Sequence, residues 1–160
     1  MQLRIYSILF ILSLLYAQQT YSQSDTLDTE YKKFYYENGI LSSEGSLIDG
    51  FPNGLWKTYF KSSRLKTLGE RKQNKLEGKW FFYRENGNLE RTITYENNVK
   101  SGLEKVYNSE GILTAGYLYE QGIKNGPAIF YYSDGSVSKK LVFLDGKENG
   151  KGVEFGTDGR

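Results

Sequence analysis

Histidine and cysteine are both absent from the 160 residues. Without them there is no Ser-His-Asp triad, no cysteine nucleophile and no ordinary zinc site. Carboxylates remain for acid–base work, and Glu85, Glu110, Asp134 and Asp158 stand at or beside turn sequences. A retaining glycosidase needs two carboxyls about 5 Å apart. Single acids spread over successive turns read as solvated turn residues instead. Asp25, Asp28 and Glu30 do not follow the spacing of a calcium loop and read as polar leader residues. Gly150 to Gly156 is glycine-rich, but its spacing is not GxGxxG and no helix follows, so it is not a phosphate cradle. These residues predict no enzyme, no cofactor and no metal. The side chains left for recognition are aromatic, and Trp56, Phe60, Trp80 and Phe82 are the candidates for contact with a partner.

The elements that position them come from a repeat. Copies begin at Gly54, Gly78, Gly102, Gly126 and Gly150, each step being 24 residues, and a diverged copy precedes them near Glu30. Equal steps without insertion indicate a repeat architecture. Counting from the repeat glycine, the sixth column reads Tyr35, Tyr59, Tyr83, Tyr107, Tyr131, Phe155. The twelfth reads Leu41, Leu65, Leu89, Leu113, Val137, and the eighteenth Leu47, Arg71, Tyr95, Tyr119, Phe143.

Each copy predicts a β-hairpin. The first half is rich in aromatic and β-branched residues, which suit a pleated surface. Glu85-Asn86-Gly87 and its counterparts supply the positive φ of a tight turn. The second half alternates apolar and polar residues, which places the twelfth, sixteenth and eighteenth columns on one face. A second polar turn, such as Asn97-Asn98, closes the unit. The tyrosine column is expected to stack as a buried structural ladder. An isolated hairpin is marginal in water, so stability must come from neighbouring copies covering one another.

Ahead of the repeat, Arg4 is followed by the apolar run Ile5 to Tyr16 and then Ala17. The run is shorter than the roughly 20 residues that span a bilayer. A positive start, a short apolar core and a small residue match a secretory signal peptide over residues 1–17, with 22 as the alternative end. Residues 18–29 read as a flexible leader and 30–160 as one repeat domain ending in a half copy. Cleavage would remove one of 21 basic residues against 19 acidic ones, leaving a net charge of 20 − 19 = +1. No basic stripe argues for nucleic acid. The expected location is exported, periplasmic or secreted, with no transmembrane segment after cleavage.

The units G-L-W-K-T-Y-F, G-K-W-F-F-Y-R-E-N-G-N-L and Y-L-Y-E-Q-G-I-K-N-G resemble the MORN-variant repeat of bacterial proteins, over roughly Tyr31 to Arg160. The resemblance implies an all-β protein whose tandem hairpins form an elongated, twisted, single-layer antiparallel sheet. It also implies an interaction module, of the kind described as antitoxin-like or immunity-like, with no catalytic residues shared by the family. The expected partner is another protein; the alternative is an envelope glycan or lipid held by exposed aromatics.

Two readings of the tryptophans follow. The third column reads Trp56, Trp80, Glu104, Ala128, Gly152, so the repeat itself does not require tryptophan there. Alternation puts Trp56 on the side of Thr58 and Phe60, and Trp80 on the side of Phe82. Either the rings pack locally, or this half is a recognition patch. For the N-terminus, sequencing of the exported protein should find Gln18 or Gln23 first. Recovery of intact Met1 in a membrane fraction would make the apolar run an anchor.

Overall fold

The computed structural model describes residues 27–156. The signal peptide over 1–17, the leader as far as residue 26 and the Asp158-Gly159 turn lie outside the described residues. Strands β1 (Thr29–Tyr35) and β2 (Leu41–Ile48) form the first hairpin, and β3 (Phe51–Tyr59) and β4 (Leu65–Lys72) the second. Next come β5 (Lys75–Tyr83) with β6 (Leu89–Glu96), β7 (Val99–Tyr107) with β8 (Leu113–Glu120), and β9 (Ile123–Tyr131) with β10 (Val137–Leu144). Two short strands, β11 (Lys147–Glu148) and β12 (Val153–Glu154), both pair with β10. All belong to one 12-stranded sheet whose order follows the chain. The architecture is all-β, an open antiparallel sheet of tandem hairpins. The first strand begins at Thr29, within the segment expected to be leader, and Asp28 already bonds across to Asp49.

Two kinds of turn alternate along the chain. Between copies, Asp49-Gly50, Gln73-Asn74, Asn97-Asn98, Gln121-Gly122 and Asp145-Gly146 all have positive φ at both residues. That is the requirement of a two-residue I′ hairpin turn, whose twist matches the strands it joins. Within a copy the loop is three residues long. The Gly87 N–H donates to the Arg84 carbonyl and the Arg84 N–H to the Asn88 carbonyl. Asn86 Oδ1 accepts the Asn88 N–H at 3.0 Å, so the asparagine fixes the turn that its glycine completes.

A β-bulge in every hairpin decides which side each column faces. Phe82 pairs with Arg91 but Tyr83 pairs with Leu89, leaving Glu90 as an extra residue. The same slip leaves Ser42, Lys66, Thr114 and Ser138 extra in the other hairpins. A bulge residue breaks the two-residue alternation. The twelfth column therefore lies with the sixth, opposite the sixteenth and eighteenth, and the expectation that columns twelve, sixteen and eighteen share a face is corrected. A second irregularity falls at the repeat glycine, in strand rather than turn. The register shifts between Gly45 and Ser46 on β2, opposite Gly54, whose φ is 73°.

The sheet thus has a tryptophan face and a tyrosine face. The core lies on the first: Trp56, Trp80, Ile93, Tyr95 and Tyr119 are buried, with Leu47, Leu76, Phe82 and Tyr117 against them. The tyrosine column is on the other side and is not buried; Tyr35 is 59% exposed and Tyr83, Tyr107 and Tyr131 are half-buried. The ring pairs that form belong to the tryptophan face: Phe34–Trp56 at 6.2 Å, Trp80–Phe82 at 6.4 Å and Tyr117–Phe130 at 5.7 Å. The ladder expected from the tyrosine column is replaced by this cluster, because the bulge turns the leucines paired with the tyrosines away from the core.

Through the core runs a row that crosses the sheet: Gly45, Trp56, Gly69, Trp80, Ile93, then Glu104, Tyr117, Ala128, Leu141 and Gly152. Its members pair across strands, as in Gly45–Trp56, Trp56–Gly69, Trp80–Ile93, Glu104–Tyr117 and Tyr117–Ala128. Each indole lies over the preceding glycine. A Cβ on Gly45 would meet Trp56 Cε3 at 2.1 Å, and one on Gly69 would meet Trp80 Cδ2 at 2.2 Å. Overfilling such a contact costs roughly 1–3 kcal/mol, and truncating a buried tryptophan roughly 3–5 kcal/mol. Gly69→Val should therefore destabilise the protein in denaturant melts. Gly69→Val combined with Trp80→Ala should lose less than the two single losses together, by about 0.5–3 kcal/mol. Simple additivity would mean that the two positions do not share volume.

Candidate functional site

The four aromatic candidates occupy the N-terminal half of the tryptophan face, and the structure brings three of them into one cluster. Trp56 is 6% and Trp80 2% exposed. The Trp80 indole N–H donates to the Glu70 carbonyl at 3.0 Å and approaches the Glu77 carbonyl at 3.2 Å, so its polar edge is satisfied internally. The Arg71 guanidinium lies between the two indoles, 6.0 Å from the Trp56 ring and 5.6 Å from the Trp80 ring. Burial there holds the Arg71 pKa below its ordinary value. Phe82 is half-buried in the same cluster, whereas Phe60 follows β3 in the loop, with Lys66 5.6 Å from its ring. Both tryptophan rings are spent on packing, and the phenylalanines alone present area to solvent.

The centre of this face is cationic and aromatic. Arg91 sits 4.4 Å from the Phe82 ring, and its buried Nε has no partner among the described residues. Lys124 lies 3.6 Å from the Tyr117 ring, and Lys100 lies 4.6 Å from the Tyr119 ring. Cations over ring faces are favourable, more so when partly desolvated. Glu104, 5% exposed, is the buried acid of the row and pairs with Lys100 at 3.6 Å. Burial first, and then the charge of Glu104, push the Tyr119 pKa up. The acid stands where two copies carry tryptophan and one carries alanine. Sequence reasoning noted that change of residue without placing Glu104 in the core.

The tyrosine face carries a different feature. An apolar depression of about 160 Å³ opens between β7, β8 and β9. Leu103, Leu113, Leu118, Pro127, Ile129 and Tyr131 line it together with Lys105, and Gly116 forms its floor. The equivalent column holds Glu44, Leu68, Thr92 and Lys140 in other copies. Gly116 needs neither a positive φ nor tight space, since an added Cβ would stand 3.6 Å from Leu103. The depression is thus the gap left by one missing side chain. Leu103 at 50%, Val142 at 51% and Val153 at 53% exposure extend the apolar surface around it. The signal was legible as a glycine outside the turn columns, but the face it belongs to was not.

Elsewhere the acids near the turns bond locally or lie exposed, while the buried Arg84 Nε has no partner among the described residues. A broad groove of about 820 Å³ follows the I′ turns past Glu96 and Glu120. Glu96 accepts from Ser101 Oγ, and Glu120 accepts from Asn125 Nδ2. At the hairpin loops, Asp134 accepts from the Ser136 hydroxyl and N–H at 2.6 and 2.8 Å, which holds its pKa below the ordinary carboxylate value. Glu85 and Glu110 are exposed at their turns. Among the described residues, no three His, Cys, Asp or Glu side chains come together as a metal site would require. No helix among them is long and apolar enough to cross a membrane.

The family model described as the MORN repeat variant matches residues 31–49 and 76–97. These two segments match the MORN repeat variant, and the structure continues the same hairpin through the copies between and beyond them. A search of curated proteins gave no match. Among solved structures, a crystal structure of a point mutant of S. aureus TarM in complex with fondaparinux, alpha-GlcNAc-glycerol and UDP is similar over 85% of this chain. It is 12% identical with a TM-score of 0.43, and this chain covers 23% of it. A second crystal structure of TarM is 13% identical over 86% of this chain, again at a TM-score of 0.43 and 23% of that chain. The chain thus spans less than a quarter of the length of these proteins, and a likeness of this size carries no functional argument.

The most perturbed phenol on the tyrosine face is Tyr59. Its hydroxyl donates to Glu44 Oε1 at 2.5 Å. Burial first, and then Glu44, push the Tyr59 pKa up to about 12, while the same bond holds Glu44 below its ordinary value. A phenol with a raised folded pKa binds its proton more tightly when folded, so its contribution is complete below about pH 10 and lost as pH rises toward 12. For Glu44 the sign reverses, and the contribution falls as pH drops below the ordinary carboxylate value. Tyr59→Phe should remove one late-titrating phenol from the alkaline absorbance titration. It should also flatten the acid side of the stability curve, because the bond that lowers the folded Glu44 pKa is gone and less stability is left to lose as pH falls. An unchanged late phase would place that proton elsewhere.

Proposed function

We propose that this protein is an exported, non-enzymatic scaffold that binds another protein through the C-terminal half of its tyrosine face. MORN repeats are in general protein- or membrane-interaction modules. The observation that carries the specific reading is the Gly116 depression, set among half-exposed Leu103 and Val142. An apolar hole of side-chain size, bordered by Lys105, favours a partner that inserts one apolar or aromatic anchor. Export follows from the pattern of Arg4, the Ile5–Tyr16 run and Ala17. An antitoxin-like or immunity-like role is the specific form of contact that the repeat family suggests.

A second reading rests on the tryptophan face. The Arg91 guanidinium, 4.4 Å from the half-buried Phe82 ring and with no partner for its buried Nε among the described residues, would suit an envelope glycan or lipid headgroup that reaches into the cluster. Rings with a nearby hydrogen-bond donor can stack on and orient a sugar. The test is capture from the native envelope with the full chain and two variants. Leu103→Glu should weaken retention of one stoichiometric protein by roughly 2 kcal/mol or more while the melting midpoint moves little. Arg91→Ala should leave that retention unchanged. Recovery on peptidoglycan, polysaccharide or lipid, lost with Arg91→Ala and kept with Leu103→Glu, would replace the first reading by the second.

A further inference from the structure

Strand β1 is the first strand of a copy, yet it lacks what the other first strands have. β3, β5, β7 and β9 are each paired on both sides, whereas among the described residues β1 pairs only with β2. All seven of its residues are exposed. Its backbone groups divide by alternation. The Asp28 carbonyl accepts the Asp49 N–H at 2.9 Å, and the Tyr36 N–H donates to the Ile40 carbonyl at 2.8 Å. Even-numbered residues therefore spend their N–H and C=O on β2. Thr29, Tyr31, Lys33 and Tyr35 direct theirs outward, as a ready edge for another strand.

We propose that this edge pairs antiparallel with β1 of a second copy, continuing the sheet across a two-fold axis at Tyr31. A two-fold perpendicular to the sheet keeps the faces of both copies aligned, so residues opposite one another must come from the same face. This allows axes at single residues only, and the charges choose among them. An axis at Thr29 sets Asp28 opposite Glu30, and an axis at Glu30, Lys32 or Lys33 sets two like charges directly opposite each other, which is destabilising; an axis at Phe34 or Tyr35 leaves most of the strand unpaired. An axis at Tyr31 sets Glu30 opposite the partner's Lys32 twice, on the tryptophan face. These two side chains already attract each other within one strand, at 2.8 Å. On the tyrosine face the same register sets Tyr31 opposite Tyr31 and Leu27 opposite Tyr35. These three residues are 57%, 60% and 59% exposed, a cost in water that the pairing would relieve. The outward N–H and C=O groups of Tyr31 face their own copies in this register, as a hydrogen-bonded pair requires.

The pairing is independent of the proposed partner face, because it uses the opposite end of the sheet. The test is the mass of the full chain in solution by analytical ultracentrifugation over a dilution series. A dimer is expected for the native chain. Tyr31→Pro removes the exposed ring and an N–H that points away from β2, and leaves every β1–β2 bond in place, so the fold should hold while dimerisation weakens by about tenfold or more. Lys32→Glu should weaken the dimer, because Glu30 then faces an acid, and Glu30→Lys added to it should restore the pairing. A monomer throughout, or a dimer indifferent to Tyr31→Pro, would overturn the proposal. So would a failure of the double charge exchange to recover what Lys32→Glu lost, in a protein whose circular dichroism is unchanged.

Discussion

The sharing of volume along one cross-strand row is the constraint on which the rest of this structure depends. In a single-layer sheet there is no second layer to supply a core. Residues on one face must cover each other sideways, over the roughly 4.8 Å between neighbouring strands. Trp56 and Trp80 do this by lying flat over Gly45 and Gly69, where no Cβ could fit. Toward the C-terminus the sizes exchange, with Tyr117 beside Ala128 and Leu141 beside Gly152. A Cβ on Gly152 would meet Leu141 Cδ2 at 2.4 Å, the same exclusion in the opposite sense. The register between copies is thereby specified by packing as well as by the turns, since a slip would bring each indole against a filled position.

The two irregularities in each copy follow from the same need. The bulge at Glu90 and its counterparts sends the leucine of the twelfth column to the tyrosine face, so both faces receive apolar residues. The repeat glycine absorbs a second slip at positive φ, which few other residues would accept without strain. The consequence is a sheet whose tryptophan face is closed by its own aromatics and cations, while its tyrosine face stays open. The departures from the repeat are few and local. Gly116 opens a hole, Glu104 places a buried acid in the row, and β1, among the described residues, is paired on one side only.

Much of this was legible in the chain before any coordinates. The 24-residue period, the Asn-Gly and Asp-Gly pairs and the aromatic first halves specify hairpins, because those signals are local. The faces were not legible, since alternation alone puts Leu89 with Ile93 and knows nothing of Glu90. The one trace of the bulge is that its column is polar in every copy: Ser42, Lys66, Glu90, Thr114, Ser138. The role of the tryptophans was hidden for a related reason. Trp56 and Trp80 look optional when compared with Glu104 and Ala128 in their own column. They look required only beside Gly45 and Gly69, which stand eleven residues earlier and on a neighbouring strand. The Gly116 depression was hidden because a missing side chain has no pattern until its neighbours are known.

The most direct measurement of the volume sharing is the proton chemical shift of the glycines in the row. Protons held against the face of an indole are shielded by its ring current. The Hα resonances of Gly45 and Gly69 should lie well upfield of the other glycines. They should return to ordinary values in Trp56→Ala and Trp80→Ala respectively, each variant moving its own glycine. Gly116, on the open side with Leu103 and the Glu104 carbonyl as its nearest neighbours, should be unshifted. Ordinary shifts for Gly45 and Gly69 in the native protein would show that the indoles do not cover them, and the row could not then be what sets the register of the sheet.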